Sequence, residues 1–178
     1  MSVAGARCLR CEPLLKPWRW TPLASFFWYW PPSGNEGHDT VTIWLNGGPG
    51  CSSLVGALQE NGPFLVSGDK QNRTHVRRNP YSWHHTSHVV YIEQPESTGF
   101  SKTGPVDVKD EPDIAARFEG FLKNFFATFS HLRGKRLFIT GESYAGVYIP
   151  YIVDHLVRTT ANPYNVQGWG VVDGYVNQ

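Results

Sequence analysis

No stretch of this sequence is long and apolar enough to cross a bilayer; none approaches 18 consecutive apolar residues. Charge of one sign is scarce as well. Sixteen Lys and Arg face fifteen Asp and Glu, a formal net charge of +1, so there is no basic field to hold nucleic acid. Cysteine is limited to Cys8, Cys11 and Cys51. An odd number leaves at least one thiol without an intrachain partner, and the count fixes no redox compartment. Cys8 and Cys11 have a C-x-x-C spacing, but the other half of a zinc site is not evident, so neither a metal nor any other cofactor is expected. No internal repeat and no low-complexity tract occurs. The first thirty residues are basic and aromatic, and they lack a continuous apolar core followed by a small-residue cleavage site, so no signal peptide is read there. Residues 1–24 are set apart as an atypical N-terminal segment, and residues 25–178 as the domain.

What is present suits one globular domain. Apolar residues make up 40% and charged residues 17% of 178, enough to build a core. Residues 25–30 (SFFWYW) and 40–46 (TVTIWLN) read as strands, the second β-branched and buried. A short helix is expected over 54–59. The stretch VRRNPYSWHHT reads as a polar, aromatic loop, and SHVVYIEQP, residues 87–95, as a buried strand ended by proline. Between Asp113 and Leu132 the apolar residues Ile114, Phe118, Phe121, Leu122, Phe125, Phe126 and Phe129 recur at spacings of three and four, predicting a helix stopped by Gly134. Residues 135–140 form a strand, 144–158 a helix kinked at Pro150, and VQGWGVV a last strand. Strands that alternate with helices in this way point to an α/β fold with a largely parallel sheet.

The stretch FITGESYAGVYIP places Ser143 between a strand and a helix, with Gly141 two residues before it and Ala145 two after. Small residues there let strand and helix approach closely, and the turn lifts the serine hydroxyl above the sheet edge. The helix N-terminus favours negative charge developing beside it. An ordinary N-cap serine would fit the same six residues. Two further segments weigh on that choice. WLNGGPGCSSL follows a strand about ninety residues earlier, and a glycine pair there can offer a backbone N–H to an oxyanion. The third segment, IEQPESTGFS, ends another strand.

Together the three segments resemble the serine carboxypeptidases, a family of α/β-hydrolases of the carboxypeptidase Y type. The resemblance runs from about Ser25 to the last residue, with Glu96 standing where an apolar residue is common. It implies an α/β-hydrolase fold, represented by the N-terminal part of its mostly parallel sheet. It implies Ser143 as the nucleophile that forms an acyl-enzyme, and the N–H groups of Gly48 and Tyr144 as the oxyanion hole. Asn46 and Glu142, helped by Glu60 and Trp44, match positions that hold the substrate's terminal carboxylate. A free carboxylate meets a glutamate only if one of them carries a proton, so peptidase activity is expected to favour mildly acidic pH. The substrate implied is a peptide or protein C-terminus, and the location implied is secreted or vacuolar/lysosomal.

A serine hydroxyl needs a general base, usually a histidine oriented by a carboxylate. Of the residues after Ser143, His155 lies roughly 18 Å down the helix that follows the serine turn, at about 1.5 Å per residue, and is read as a helix-surface residue. His84, His85 and His88 precede the apolar run VVYIEQP and, His88 at the strand's margin included, are read as a solvated loop, and His38, His75 and His131 carry no supporting motif. The family's catalytic Asp and His, its later strands, its cap insertion and the partner of Cys51 are not among these residues, so the chain reads as a truncated, partial domain. A non-catalytic relative, and an acyltransferase or esterase on the same scaffold, are the other readings. The triplet NRT at Asn72 has the N-glycosylation acceptor pattern, which also arises by chance.

Overall fold

The protein is described from a computed structural model, in which residues 7–8, 25–34, 36–102, 108–159 and 162–176 are described. Apart from the backbone of Arg7–Cys8, the N-terminal segment set apart above, including the C-x-x-C pair, lies outside the described residues.

Among the described residues, eight strands and two α-helices follow the chain. They are β1 (Arg7–Cys8), β2 (Phe26–Trp30), β3 (Thr40–Leu45), β4 (Phe64–Gly68), β5 (Thr74–Arg78), β6 (His88–Ile92), α1 (Glu111–Thr128), β7 (Arg136–Glu142), α2 (Ala145–Arg158) and β8 (Val166–Val172). Six strands form one sheet in the order β1-β2-β6-β3-β7-β8. β6, β3, β7 and β8 run parallel, whereas β2 pairs antiparallel with β6 and β1 antiparallel with β2. The α/β architecture with a largely parallel sheet is therefore present.

The strand period of two divides the core into halves. Val41, Ile43 and Leu45 of β3 face one side with Val90 and Ile92 of β6 and the apolar faces of α1 and α2. Phe27 packs edge-on against Phe121, Phe125 and Phe129 there. Trp44, on the other side of β3, packs with Val89, Tyr91 and Ala57. Because Trp44 and Asn46 are two residues apart, both belong to this second face. In the β3–β7 register Trp44 is level with Thr140 and Leu45 with Gly141, which brings Asn46 level with Glu142.

Three elements differ from the sequence reading. α1 begins at Glu111, not Asp113, because the Asp110 carboxylate accepts from the Asp113 N–H at 2.9 Å and caps the helix there. It ends at Thr128, and a separate tight turn, Ser130–Leu132, precedes Gly134. The expected helix at 54–59 is a turn and a half that widens over Gly56–Glu60, closed by Asn61 N–H on Gly56 O at 3.0 Å. The loop expected at VRRNPYSWHHT is partly strand: β5 pairs with β4 as a two-stranded hairpin. All five residues of β5 are exposed, so no apolar alternation marked it.

Candidate active site

Ser143 stands at the turn from β7 into α2 with φ 54°. The left-handed region costs a non-glycine residue about 1–2 kcal/mol, and here the surrounding backbone holds it. Ser143 N–H donates to Val172 O at 3.1 Å, while Ser143 O accepts from Gly146 N–H at 2.9 Å and Tyr175 N–H at 2.8 Å. Close approach demands glycine at two places around this turn. A Cβ on Gly141 would lie 2.2 Å from Leu45 O and 2.7 Å from the Ala145 Cβ. A Cβ on Gly47 would lie 2.3 Å from Tyr144 N. The loop after β3 is thus pressed against the first residue after the serine. Gly48 follows at φ 110°. Among the described residues, neither Gly48 N–H nor Tyr144 N–H donates to a protein acceptor. The Tyr144 hydroxyl donates to Glu111 Oε1 at 3.1 Å, tying the turn to the start of α1.

Trp44, Asn46, Glu60 and Glu142 form one hydrogen-bonded group. The Asn46 amide nitrogen donates to Glu142 Oε1 at 2.7 Å and to Glu60 Oε1 at 3.4 Å. Its oxygen accepts from Trp44 Nε1 at 2.8 Å and from Gly56 N–H at 3.1 Å. Both faces of one buried amide are therefore committed, and the widened turn is what carries Glu60 to it. Burial holds the Glu60 carboxyl above its ordinary range; the nearby Glu142 adds to this and the Asn46 amide opposes it.

Two serines and a glutamate fix this group from behind. Ser53 Oγ donates to Ile92 O at 2.6 Å and accepts from Asn46 N–H at 3.1 Å. Glu93 is wholly buried, and its carboxylate accepts from Ser52 Oγ and from Phe100 N–H. It clamps the glycine-rich loop after β3 to the Thr98–Ser101 turn. Sequence reasoning did not single out Glu93 or Ser53; only their place inside two motifs, CSS and IEQP, pointed to them. Glu96 is held by Arg117 at 3.4 Å, and Arg117 also pairs with Asp113 at 3.0 Å. Its charge is thus met by α1.

Two histidines, His88 and His155, sit differently from the sequence reading. His88 is not in a solvated loop: it opens β6, is 6% exposed, and bonds Tyr29 Oη at 2.7 Å and His38 O at 3.2 Å. Burial brings its pKa down to about 4. His84 and His85 sit in a short turn on Ser82 and Ser33, respectively. His155 is half-buried between the two helices, its Nε2 3.1 Å from Glu119 Oε2, so it is a helix-packing residue rather than a surface one. The Ser143 hydroxyl has no hydrogen-bond partner among the described residues. Cys51 is exposed and has no disulfide partner among the described residues. Among the described residues no group of three His, Cys, Asp or Glu could hold a metal, and no helix is long and apolar enough to cross a membrane.

Known proteins resemble this arrangement in sequence and in fold. A carboxypeptidase Y homolog of Arthroderma benhamiae is 48% identical over 149 residues, covering 83% of this chain and 29% of the relative. A vitellogenic carboxypeptidase of Aedes aegypti is 36% identical over 155 residues, covering 85% and 32%. The crystal structure of the prohormone-processing carboxypeptidase Kex1 from Saccharomyces cerevisiae superposes with a TM-score of 0.83 at 29% identity, over 97% of this chain and 38% of that one. A proline iminopeptidase of Mycobacterium smegmatis, at 17% identity and a TM-score of 0.52, shares the fold alone. The chain spans about a third of these carboxypeptidase relatives' length, 29% to 38%. The fold is that of the α/β-hydrolases, and, because the serine carboxypeptidase family model matches residues 22–178, the chain belongs to the serine carboxypeptidase family.

Proposed function

We propose that this chain carries the nucleophile and the carboxylate-recognition site of a serine-type carboxypeptidase, which releases single residues from peptide C-termini through an acyl-enzyme at Ser143. One observation carries the reading. A strained serine stands next in sequence to Glu142, and Glu142 shares the Asn46 amide with Glu60. Two acids bridged by an amide suit a ligand that brings its own carboxylate, provided a proton is shared among them. Glu60, already held above its ordinary range, is the group to carry that proton.

In this reading Ser143 Oγ attacks the carbonyl of the last peptide bond. The developing oxyanion takes the N–H groups of Gly48 and Tyr144, which have no protein acceptor among the described residues. Trp44 holds Asn46 in place by donating to its oxygen. The leaving amine departs with the terminal residue, and water then releases the acyl group. The Ser143 proton requires an imidazole, itself oriented by a carboxylate, from outside the described residues. That requirement favours a second reading for the 178 residues taken alone: a peptide-binding but non-catalytic unit. An esterase or acyltransferase would use the same serine without needing two acids for a free carboxylate.

The test uses the native protein purified from its source. It is assayed on an N-blocked dipeptide with a free terminal carboxylate and on the same dipeptide as a C-terminal amide. Release from the acid form alone, fastest at mildly acidic pH and lost in Ser143→Ala, is the expected result. Equal cleavage of the amide, or release that survives Ser143→Ala, would overturn the reading.

A further inference from the structure

NRT, residues 72–74, is the one N-x-S/T triplet in the sequence, and the proposed peptidase chemistry makes no use of it. The structure puts it at the end of the β4–β5 hairpin, in the turn between Gly68 and Thr74. Asp69 organises that turn. Its Oδ1 accepts from Gln71 N–H and Arg73 N–H, each at 2.9 Å, and its Oδ2 from Arg73 Nε at 2.8 Å. His75 Nε2 lies 2.9 Å from the same oxygen. Asn72 closes the turn through its backbone, N–H to Asp69 O at 3.1 Å, in the left-handed region at φ 56°, where asparagine is tolerated.

The Asn72 carboxamide takes no part in this. It is exposed and has no hydrogen-bond partner among the described residues. The contrast with other asparagines is sharp. The amide nitrogens of Asn46, Asn79, Asn124, Asn162 and Asn165 all donate to protein acceptors. Thr74, whose hydroxyl is the other half of the acceptor pattern, is also exposed, and Arg73 at the middle position is not proline.

We infer that Asn72 is an N-glycosylation site, accepting an oligosaccharide from a lipid-linked diphosphate donor. In the transfer, a bond forms between Asn72 Nδ2 and the anomeric carbon of the first sugar. The bond from that carbon to the diphosphate oxygen breaks, the lipid diphosphate leaves, and the amide gives up one proton. The fold loses no internal hydrogen bond, because Asp69 and not Asn72 holds the turn. A glycan at this position stands beside a two-stranded hairpin whose β5 is exposed throughout, with Val76 63% exposed. It screens an open sheet edge from pairing with another chain.

The experiment maps the peptide containing Asn72 after the chain is expressed through the secretory route of a eukaryotic host. The expected result is a glycan on that peptide in the wild type and in Thr74→Ser. It is lost in Asn72→Gln and in Thr74→Ala, which leaves Asn72 and the turn in place. An unmodified peptide in secreted wild type, or a modification that persists in Thr74→Ala, would overturn the inference. Both readouts are independent of peptidase activity, so an inactive chain with a glycosylated Asn72 would count against the proposed function alone.

Discussion

At the carboxyl ends of β3 and β7 two half-buried acids gather on the buried Asn46 amide. At the amino end of β6 the buried polar group is a base, His88, set between the Tyr29 hydroxyl and the His38 carbonyl. The same physics acts at both ends, since burial penalises whichever form is charged. It raises the Glu60 carboxyl and lowers the His88 imidazole. The consequences are opposite. In the proposed reading a proton at the first end is what a carboxylate ligand needs, whereas a proton at the second end works against the fold. One amide sharing two acids leaves room for a proton to come and go. His88 is satisfied as a single neutral tautomer, Nδ1 accepting from Tyr29 and Nε2–H donating to His38 O.

The largest expected effect breaks the first end outright. Gly141→Ala places a methyl group 2.2 Å from Leu45 O, where a backbone atom and not a flexible side chain must give way. A loss of about 3 kcal/mol or more is expected in urea unfolding; wild-type stability would mean that the two strands separate freely at the elbow. Next comes Asn46→Leu, which strips the amide from Glu60, Glu142, Trp44 and Gly56 together. It should cost about 2 kcal/mol and raise the pH at which Glu60 ionises, read by carboxyl chemical shifts.

His88→Gln sharpens the contrast. With the imidazole lowered from 6.5 to about 4, the folded state keeps it neutral while the unfolded chain protonates first. Its contribution is full above pH 6.5 and is lost progressively as pH falls toward 4. The variant should flatten the fall in melting temperature across that window. Glu60→Gln is the smallest change and runs the other way. A raised carboxyl contributes fully below the usual value of 4.5 and loses its contribution as pH rises through the shifted value. The variant should remove a shallow decline in stability on the alkaline side of 4.5, with no effect on the acid limb that belongs to His88.

How much of this was legible in the sequence depends on the range of the interactions. The strands β3, β6 and β7 and the turn at Ser143 were readable, because apolar runs and paired glycines are local signals. The convergence of Trp44, Asn46, Glu60 and Glu142 came through a family resemblance, and strand alternation gives it a physical basis, since Trp44 and Asn46 share a face. The role of Glu93 was not readable, as Ser52 and Phe100 reach it from separate loops. From the sequence His88 reads as a loop residue, because nothing nearby announces Tyr29 or His38. His155 reads as a surface residue for the same reason, its partner Glu119 being 36 residues away. The β4–β5 hairpin escaped because β5 buries nothing.

β3 also sets an order of events. All six of its residues are buried, and it lies between β6 and β7, both of which come later in the chain. β7 begins about a hundred residues after it. A ribosome adding roughly 5–20 residues per second leaves Thr40–Leu45 waiting on the order of 5–20 s for its second neighbour. During that interval a β-branched, apolar segment is without one of its partners. Nascent chains of this protein are therefore expected to depend on chaperones that shield such segments, and to depend on them most before Glu142 emerges.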